Sequence, residues 1–370
     1  MVPPEEGVQR MIRADLLRLT AYQPIEPPDV LGEKTGIPVE GVIKLDGNEN
    51  PYGCSPRVSE ALAAYRSYNI YPDPEQREVR QALQEYVGLG AEHILAGAGS
   101  DEVIDLVLRL FVSPGDRVVN CVPTFGMYSF CTEVCGGEVV EVPRDAAFAV
   151  DIARVRESLD AGTKVVFVAS PNNPTGNITP EPDILELVET GVVVVVDEAY
   201  HEFSDVTVAH LVPQHDNLIV LRTFSKWAGL AGLRVGYGIL PSSLVPYLLK
   251  IKQPYNVNVA AQIAVRESLA DIDRLRATVK AIVEERGRLF DRLSDLAFLR
   301  PWPSEANFIY CEVTAGDART IHSELQKRGI FIRYFDTPLL RNSIRISVGK
   351  PEHTDAVIAA LSEIGGQGSG

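Results

Sequence analysis

Thr223-Phe224-Ser225-Lys226-Trp227-Ala228-Gly229-Leu230-Ala231-Gly232-Leu233-Arg234 follows an apolar run, Leu218-Ile219-Val220-Leu221, that reads as a buried strand. Lys226 is thereby placed just past a strand's carboxyl end, the edge where open α/β sheets keep their ligand crevice. The residues around it suit a small molecule that carries both an aldehyde and a phosphate. The amine can form an imine, Thr223, Ser225 and Arg234 can hold a dianion, and the glycines let the backbone come close. A lone Ser-Lys is ordinarily a surface loop, so the reading depends on what else the chain brings to this edge.

Upstream, strands at 117–121, 138–142, 164–169 and 192–196 alternate with helices at 125–135, 151–159 and 181–190. Valine-rich strands alternating with helices predict an α/β fold, a mainly parallel sheet sandwiched by helices. The strand ends are polar. After Val168-Ala169 comes Ser170-Pro171-Asn172-Asn173-Pro174-Thr175-Gly176, and after Val196 comes Asp197-Glu198-Ala199-Tyr200. Earlier, Ile94-Leu95-Ala96-Gly97-Ala98-Gly99-Ser100-Asp101 runs from a strand end through a glycine turn into a helix bearing Ile104, Val107, Leu108 and Phe111 on one face. Such a turn points free N–H groups at one spot and can seat a phosphate, although Gly97-x-Gly99 alone is equally a tight turn with Ser100 as a cap. It is neither a dinucleotide fingerprint nor a Walker loop.

The chain has 370 residues, 45% hydrophobic and 23% charged, with a net charge of −15. That length exceeds one small core and predicts two or three units. The carboxylate excess disfavours nucleic acid and acidic membranes as partners, so an anionic substrate needs local arginines. No basic segment and apolar core open the chain, and no apolar run reaches the ~20 residues of a membrane span, so a cytoplasmic protein is expected. The five cysteines, Cys54, Cys121, Cys131, Cys135 and Cys311, have no zinc spacing and read as small hydrophobes in a reducing compartment. No metal site is expected.

Residues 1–48, with Pro3, Pro4, Pro24, Pro27, Pro28 and Pro38, read as an extended arm holding at most one short helix and needing a surface to lie on. A large domain spans 49–255, with helices at 56–68 and 75–87 joined through Tyr71-Pro72-Asp73-Pro74. A smaller α+β domain spans 256–364, with helices at 258–270, 317–328 and 351–364, a long helix carrying Leu275, Val279, Ile282, Leu289 and Leu293, and strands at 307–310, 330–334 and 343–348. Residues 365–370 read as a flexible tail.

Asn173-Pro174-Thr175-Gly176, Asp197-x-x-Tyr200, Ser225-Lys226 and Arg234, in this order, resemble the signature of the fold-type-I aminotransferases. Leu45-Asp46-Gly47-Asn48-Glu49-Asn50-Pro51-Tyr52-Gly53, Tyr71-Pro72-Asp73-Pro74, Gly99-Ser100-Asp101 and Pro123-Thr124-Phe125-Gly126-Met127-Tyr128 resemble the histidinol-phosphate branch of that family, and the likeness runs from about Tyr22 to Gly349. The resemblance implies pyridoxal 5'-phosphate as cofactor and a homodimer with shared active sites. It implies that Lys226 binds the cofactor aldehyde and shuttles a proton, that Asp197 pairs with the ring nitrogen, and that Tyr200 and Asn173 bond the ring oxygen. Thr223, Ser225, Arg234 and the turn Gly99-Ser100-Asp101 would hold the phosphate, with Tyr71 supplied by the second subunit. Phe125 would stack on the ring; the family often has tyrosine there, and phenylalanine keeps the face without the hydroxyl. Tyr22, Asn50, Arg333 and Arg345 would meet the substrate.

A guanidinium suits a phosphate or a carboxylate equally, so at this level an aromatic amino acid aminotransferase remains a rival, with a decarboxylase of the same fold behind it. A cofactor-binding regulator without turnover is the rival from another class; no basic helix-turn-helix segment precedes residue 45 to support it.

Overall fold

The computed structural model describes residues 7–367; residues 1–6, with Pro3 and Pro4 of the arm, and 368–370 of the tail lie outside the described residues. In the arm, the prolines leave room for one α-helix, α1 (Pro28–Thr35), which begins on a proline and stops at Gly36 in the left-handed conformation. Then come β1 (Ile43–Leu45), α2 (Pro56–Ala64), whose Ser55 cap accepts from the Arg57 N–H, and α3 (Arg77–Val87).

The central sheet and its cover follow as β2 (Ile94–Gly97), α4 (Ser100–Phe111), β3 (Arg117–Val122), α5 (Met127–Cys135), β4 (Glu138–Pro143), α6 (Ile152–Ser158), β5 (Thr163–Ala169), α7 (Glu181–Val188), β6 (Val193–Asp197), α8 (His201–Ser204), β7 (Leu218–Thr223) and β8 (Gly236–Ile239). The strand order is β2-β8-β7-β6-β5-β3-β4, with β3 to β7 parallel. Both faces are covered. Val166, Val168, Val194 and Val196 pack into one layer, and Val165, Phe167, Val195 and Ile219 into the other. Burying each such side chain contributes about 1.5–3 kcal/mol before conformational entropy is counted.

One strand was not foreseen. Gly236-Tyr237-Gly238-Ile239 is half glycine and reads poorly as a strand, yet β8 runs antiparallel between β2 and β7. The glycine is required by crowding, since a Cβ on Gly236 would lie 2.5 Å from the Ser100 nitrogen and 2.8 Å from the Arg222 oxygen. Because β8 is antiparallel to both neighbours, β2 runs parallel to β7. The glycine turn after β2, the lysine loop after β7 and Arg234 before β8 all reach the same edge.

The remaining elements are α9 (Val245–Ile251), α10 (Val259–Leu269), α11 (Ile272–Ser294), β9 (Leu299–Pro301), β10 (Phe308–Val313), α12 (Ala318–Gln326), β11 (Ile330–Thr337), β12 (Leu340–Ser347) and α13 (Pro351–Gln367). α10 is capped by Asn258 and α12 by Asp317, each accepting from a backbone N–H at 2.9 Å. The second sheet has the order β1-β11-β12-β10-β9, and β1 pairs parallel with β11. The arm therefore lies on the second sheet as a strand, which delivers the next residues, 46–50, to the crevice edge of the first. α13 carries residues 365–367 of the predicted tail as helix.

Candidate active site

A cavity of about 920 Å³ opens at the carboxyl edge of the large sheet, lined by Lys226, Asp197, Tyr200, Asn173, Phe125, Ser100, Asp101, Thr223, Ser225, Arg234, Tyr22, Arg333 and Arg345. All of these were named from the sequence, Lys226, Thr223, Ser225, Arg234, Ser100, Asp101, Asp197 and Tyr200 by residue type and position, and Asn173, Phe125, Tyr22, Arg333 and Arg345 through the family resemblance.

Lys226 is half-buried and donates to the Gly47 carbonyl at 3.0 Å. Burial first, and the Arg345 charge next, lower its amine to about 8. Asp197 ends β6 and is buried; its Oδ2 accepts from the Tyr128 hydroxyl at 2.6 Å and its Oδ1 from the Ala199 N–H at 3.0 Å. Burial raises its carboxyl to about 6 against the pull of these two neutral donors. The Tyr200 hydroxyl accepts from Asn48 Nδ2 at 2.9 Å, and burial holds its phenol up at about 12.

At the other end of the cavity, α4 begins at Ser100. Gly99 has φ of 82°, and a Cβ there would lie 2.5 Å from Arg234 Nη2, so only glycine permits the guanidinium to cross the turn. Arg234 Nη2 also meets Asp101 Oδ2 at 2.9 Å. The Thr223 hydroxyl donates to Ser225 Oγ at 2.9 Å and accepts from the Ser225 N–H at 3.1 Å. A helix N-terminus, two hydroxyls and one guanidinium thus converge on one spot.

Arg333 on β11 and Arg345 on β12 are cross-strand partners in register. Arg345 donates to Asn173 Oδ1 and to the Asp46 carbonyl and lies over the Phe308 ring, while Arg333 donates to the Gln23 carbonyl of the arm, at 3.4 Å. Tyr22 and Phe125 meet at 77°, with ring centroids 6.2 Å apart.

Three of the candidates stand differently. Gly99 supports the turn from behind without lining the cavity. Asn50 donates from Nδ2 to the Trp227 carbonyl at 2.7 Å, so its amide braces the loop after Lys226. Tyr71 is 77% exposed, stacks on Tyr255 and is not brought to the cavity of its own chain.

Two residues named from the sequence only within motifs, with no role of their own, prove to be structural parts of the site. Asn48, buried and at φ of 54°, receives the Asn307 amide on its carbonyl, gives its N–H to Ser347 Oγ and its own amide to Tyr200, which joins the two sheets behind the cavity. Tyr128 holds Asp197. The conformational tolerance of asparagine was a signal for the first; for the second, the motif marked the residue and nothing in the sequence marked its partner.

The aminotransferase class I and II family pattern matches residues 40–361. This chain is a class I and II aminotransferase. It is 48% identical over 358 residues to a histidinol-phosphate aminotransferase of Dehalococcoides mccartyi, covering 97% of this chain and 99% of the relative. It is 48% identical to the chloroplastic histidinol-phosphate aminotransferase of Nicotiana tabacum, covering 95% of this chain and 86% of that one. The crystal structure of histidinol-phosphate aminotransferase from Sinorhizobium meliloti in complex with pyridoxal-5'-phosphate matches with a TM-score of 0.85 at 28% identity, over 96% of this chain and 97% of that one. The fold of this aminotransferase is therefore the one its strand ends implied.

Proposed function

We propose that this aminotransferase uses pyridoxal 5'-phosphate to exchange the amino group of L-histidinol phosphate with 2-oxoglutarate, giving imidazole-acetol phosphate and glutamate, a step of histidine biosynthesis. The residues fit the cofactor. Asp197 is a buried carboxylate whose two hydrogen bonds come from neutral groups, so a protonated ring nitrogen supplies the cation it lacks. The Gly99 turn with Arg234, Ser100, Thr223 and Ser225 suits the phosphate, and Tyr200 and Asn173 the ring oxygen.

When bound, pyridoxal phosphate supplies an electrophilic aldehyde and a ring that takes up the electrons of a broken Cα–H bond. Lys226 anchors that aldehyde and moves the proton at the substrate α-carbon; an amine lowered to about 8 suits both tasks. Asp197 keeps the ring nitrogen protonated. Phe125 offers its face to the ring, and Tyr22, Pro24 and Ile25 of the arm line the cavity beside it.

The observation that carries the substrate is the pairing of Arg333 with Arg345. Like charges directly opposite across two strands repel, and one carboxylate needs only one bidentate guanidinium. A phosphate dianion balances both. We further read residues 1–48 as the arm, 49–255 as the large domain and 256–364 as the small one. We place the protein in the cytoplasm, supported by five free cysteines, as a homodimer in which Tyr71 completes the partner's phosphate site.

The test is an absorption spectrum of the purified protein before and after L-histidinol phosphate, with no keto acid present. Loss of the visible cofactor band with histidinol phosphate supports the proposal. A band that persists there and bleaches with phenylalanine moves the enzyme to aromatic substrates, and no band after incubation with pyridoxal phosphate overturns the reading of Lys226.

A further inference from the structure

Asp197 is held from two sides. The Ala199 N–H fixes Oδ1, and the Tyr128 hydroxyl, at 2.6 Å, fixes Oδ2. Both side chains are almost wholly enclosed by protein, at 4% and 1% exposure, although both border the cavity. Tyr128 itself has no freedom to turn. Its ring lies flat on Phe167, centroids 4.7 Å apart and planes within 4°, and presses at 84° against Phe125, 5.6 Å away. Phe125 forms part of the cavity wall, so one side chain joins the wall that faces a planar ring to the carboxylate that faces its nitrogen.

We infer that Tyr128 is a positioning residue for the cofactor: its hydroxyl keeps Asp197 oriented as an acceptor for the ring nitrogen, and its ring fixes Phe125 relative to that acceptor. This rests on the reading of Asp197 given above. A hydrogen bond from a neutral hydroxyl to an ionised carboxylate is about twice as strong as one between neutral groups. The need for it is electrostatic. After burial, which raises the Asp197 carboxyl most, the carboxylates of Asp101 on α4 and Glu198 at the end of β6 raise it further, and only Tyr128 and the Ala199 N–H oppose them. Tyr200, whose own phenol burial pushes up, lines the same cavity and stays neutral, while the cationic Lys226, Arg234 and Arg345 line it too. Burial likewise keeps Tyr128 a neutral donor throughout the working range.

The experiment titrates apoenzyme with pyridoxal phosphate and reads affinity by fluorescence, without substrate. Tyr128→Phe keeps the ring and removes only the donor; its dissociation constant should rise about tenfold, and the acid limb of binding against pH should move up by about one unit. An unchanged constant and limb in a variant that melts like the wild type would overturn the inference. Tyr128→Phe leaves a buried carboxylate short of a donor and can fail to fold. The double variant Tyr128→Phe/Asp197→Ala removes that strain and supplies the second arm. Its affinity should equal that of Asp197→Ala alone, and a further tenfold loss would show that the hydroxyl acts elsewhere. If Asp197→Ala binds as tightly as wild type, the reading of Asp197 fails and the inference with it; if Asp197→Ala weakens binding while Tyr128→Phe does not, the inference alone fails.

Discussion

Lys226 is the residue on which the proposed chemistry turns, and its state is set by its surroundings. Removal from water disfavours the ammonium, Arg345 adds repulsion, and Glu49 and Asp101 partly offset both. The neutral amine is the nucleophile, so uptake of pyridoxal phosphate by apoenzyme should be slow at pH 6, rise through a midpoint near 8 and level off above it. A midpoint in the usual lysine range, above about 10, would refute this. Removing the repulsion with Arg345→Ala should move the midpoint upward. Lys226→Ala should still hold the cofactor, through its phosphate and ring contacts, while kcat falls by about 10²–10⁴ or more; near-normal single-turnover rates would sink the assignment. Arg333 offers a separate check. Arg333→Ala should lower kcat/KM for histidinol phosphate roughly tenfold to a hundredfold and leave phenylalanine little changed, since only the phosphate uses the second guanidinium. At this scale the sequence was informative where a residue type and a strand end coincide, as at Lys226, Asp197 and Asn173. Tyr128 was opaque because its partner is 69 positions away, and a tyrosine on an apolar helix reads as core.

Among the elements, β8 arranges the site and was the least legible. It has two glycines in four residues, and it is a strand because its neighbours supply the hydrogen bonds and approach too closely for side chains. Local propensity carries no trace of that. The valine-rich strands are the opposite case: buried on both faces, they announce themselves as unbroken apolar runs. Gly236→Ala tests the argument. Its Cβ would meet backbone atoms of Ser100, Arg222 and Gly99 that cannot rotate away, so the variant should lose about 1–3 kcal/mol in urea unfolding, together with cofactor affinity through a displaced α4 start. Unchanged unfolding would mean that β8 sits further from β2 and β7 than described. A second device lies just beneath. Arg222 on β7 pairs with Glu198 beyond β6 at 2.9 Å, both about 5% exposed or less, and Glu198 also takes Thr207 and the Val208 N–H. Arg222→Met leaves that carboxylate buried and unpaired, and unfolding should be easier by about 3–5 kcal/mol.

For the whole molecule, Tyr71 poses the question that one chain leaves open. Tyr71 is 77% exposed though it rests on Tyr255, and Tyr68 and Ile70 in the same 65–76 connector are also more than half exposed, so this stretch presents an apolar-aromatic surface to solvent among the described residues. A second copy related by a twofold axis would cover it on both sides at once, because the same stretch is presented by each. If Tyr71 then enters the partner's phosphate site, each active site takes its lysine from one chain and its tyrosine from the other. That arrangement makes a prediction that no monomer satisfies. Lys226→Ala and Tyr71→Ala homodimers should each be nearly inactive, but after mixing, mild dissociation and reassembly, half of the dimers carry one site with both defects and one with neither. Activity should then recover to about a quarter of wild type, the share of intact sites expected from random pairing. Recovery to that level, read by histidinol phosphate turnover alongside light scattering, requires a shared site; no recovery in mixtures shown to exchange subunits would confine Tyr71 to its own chain.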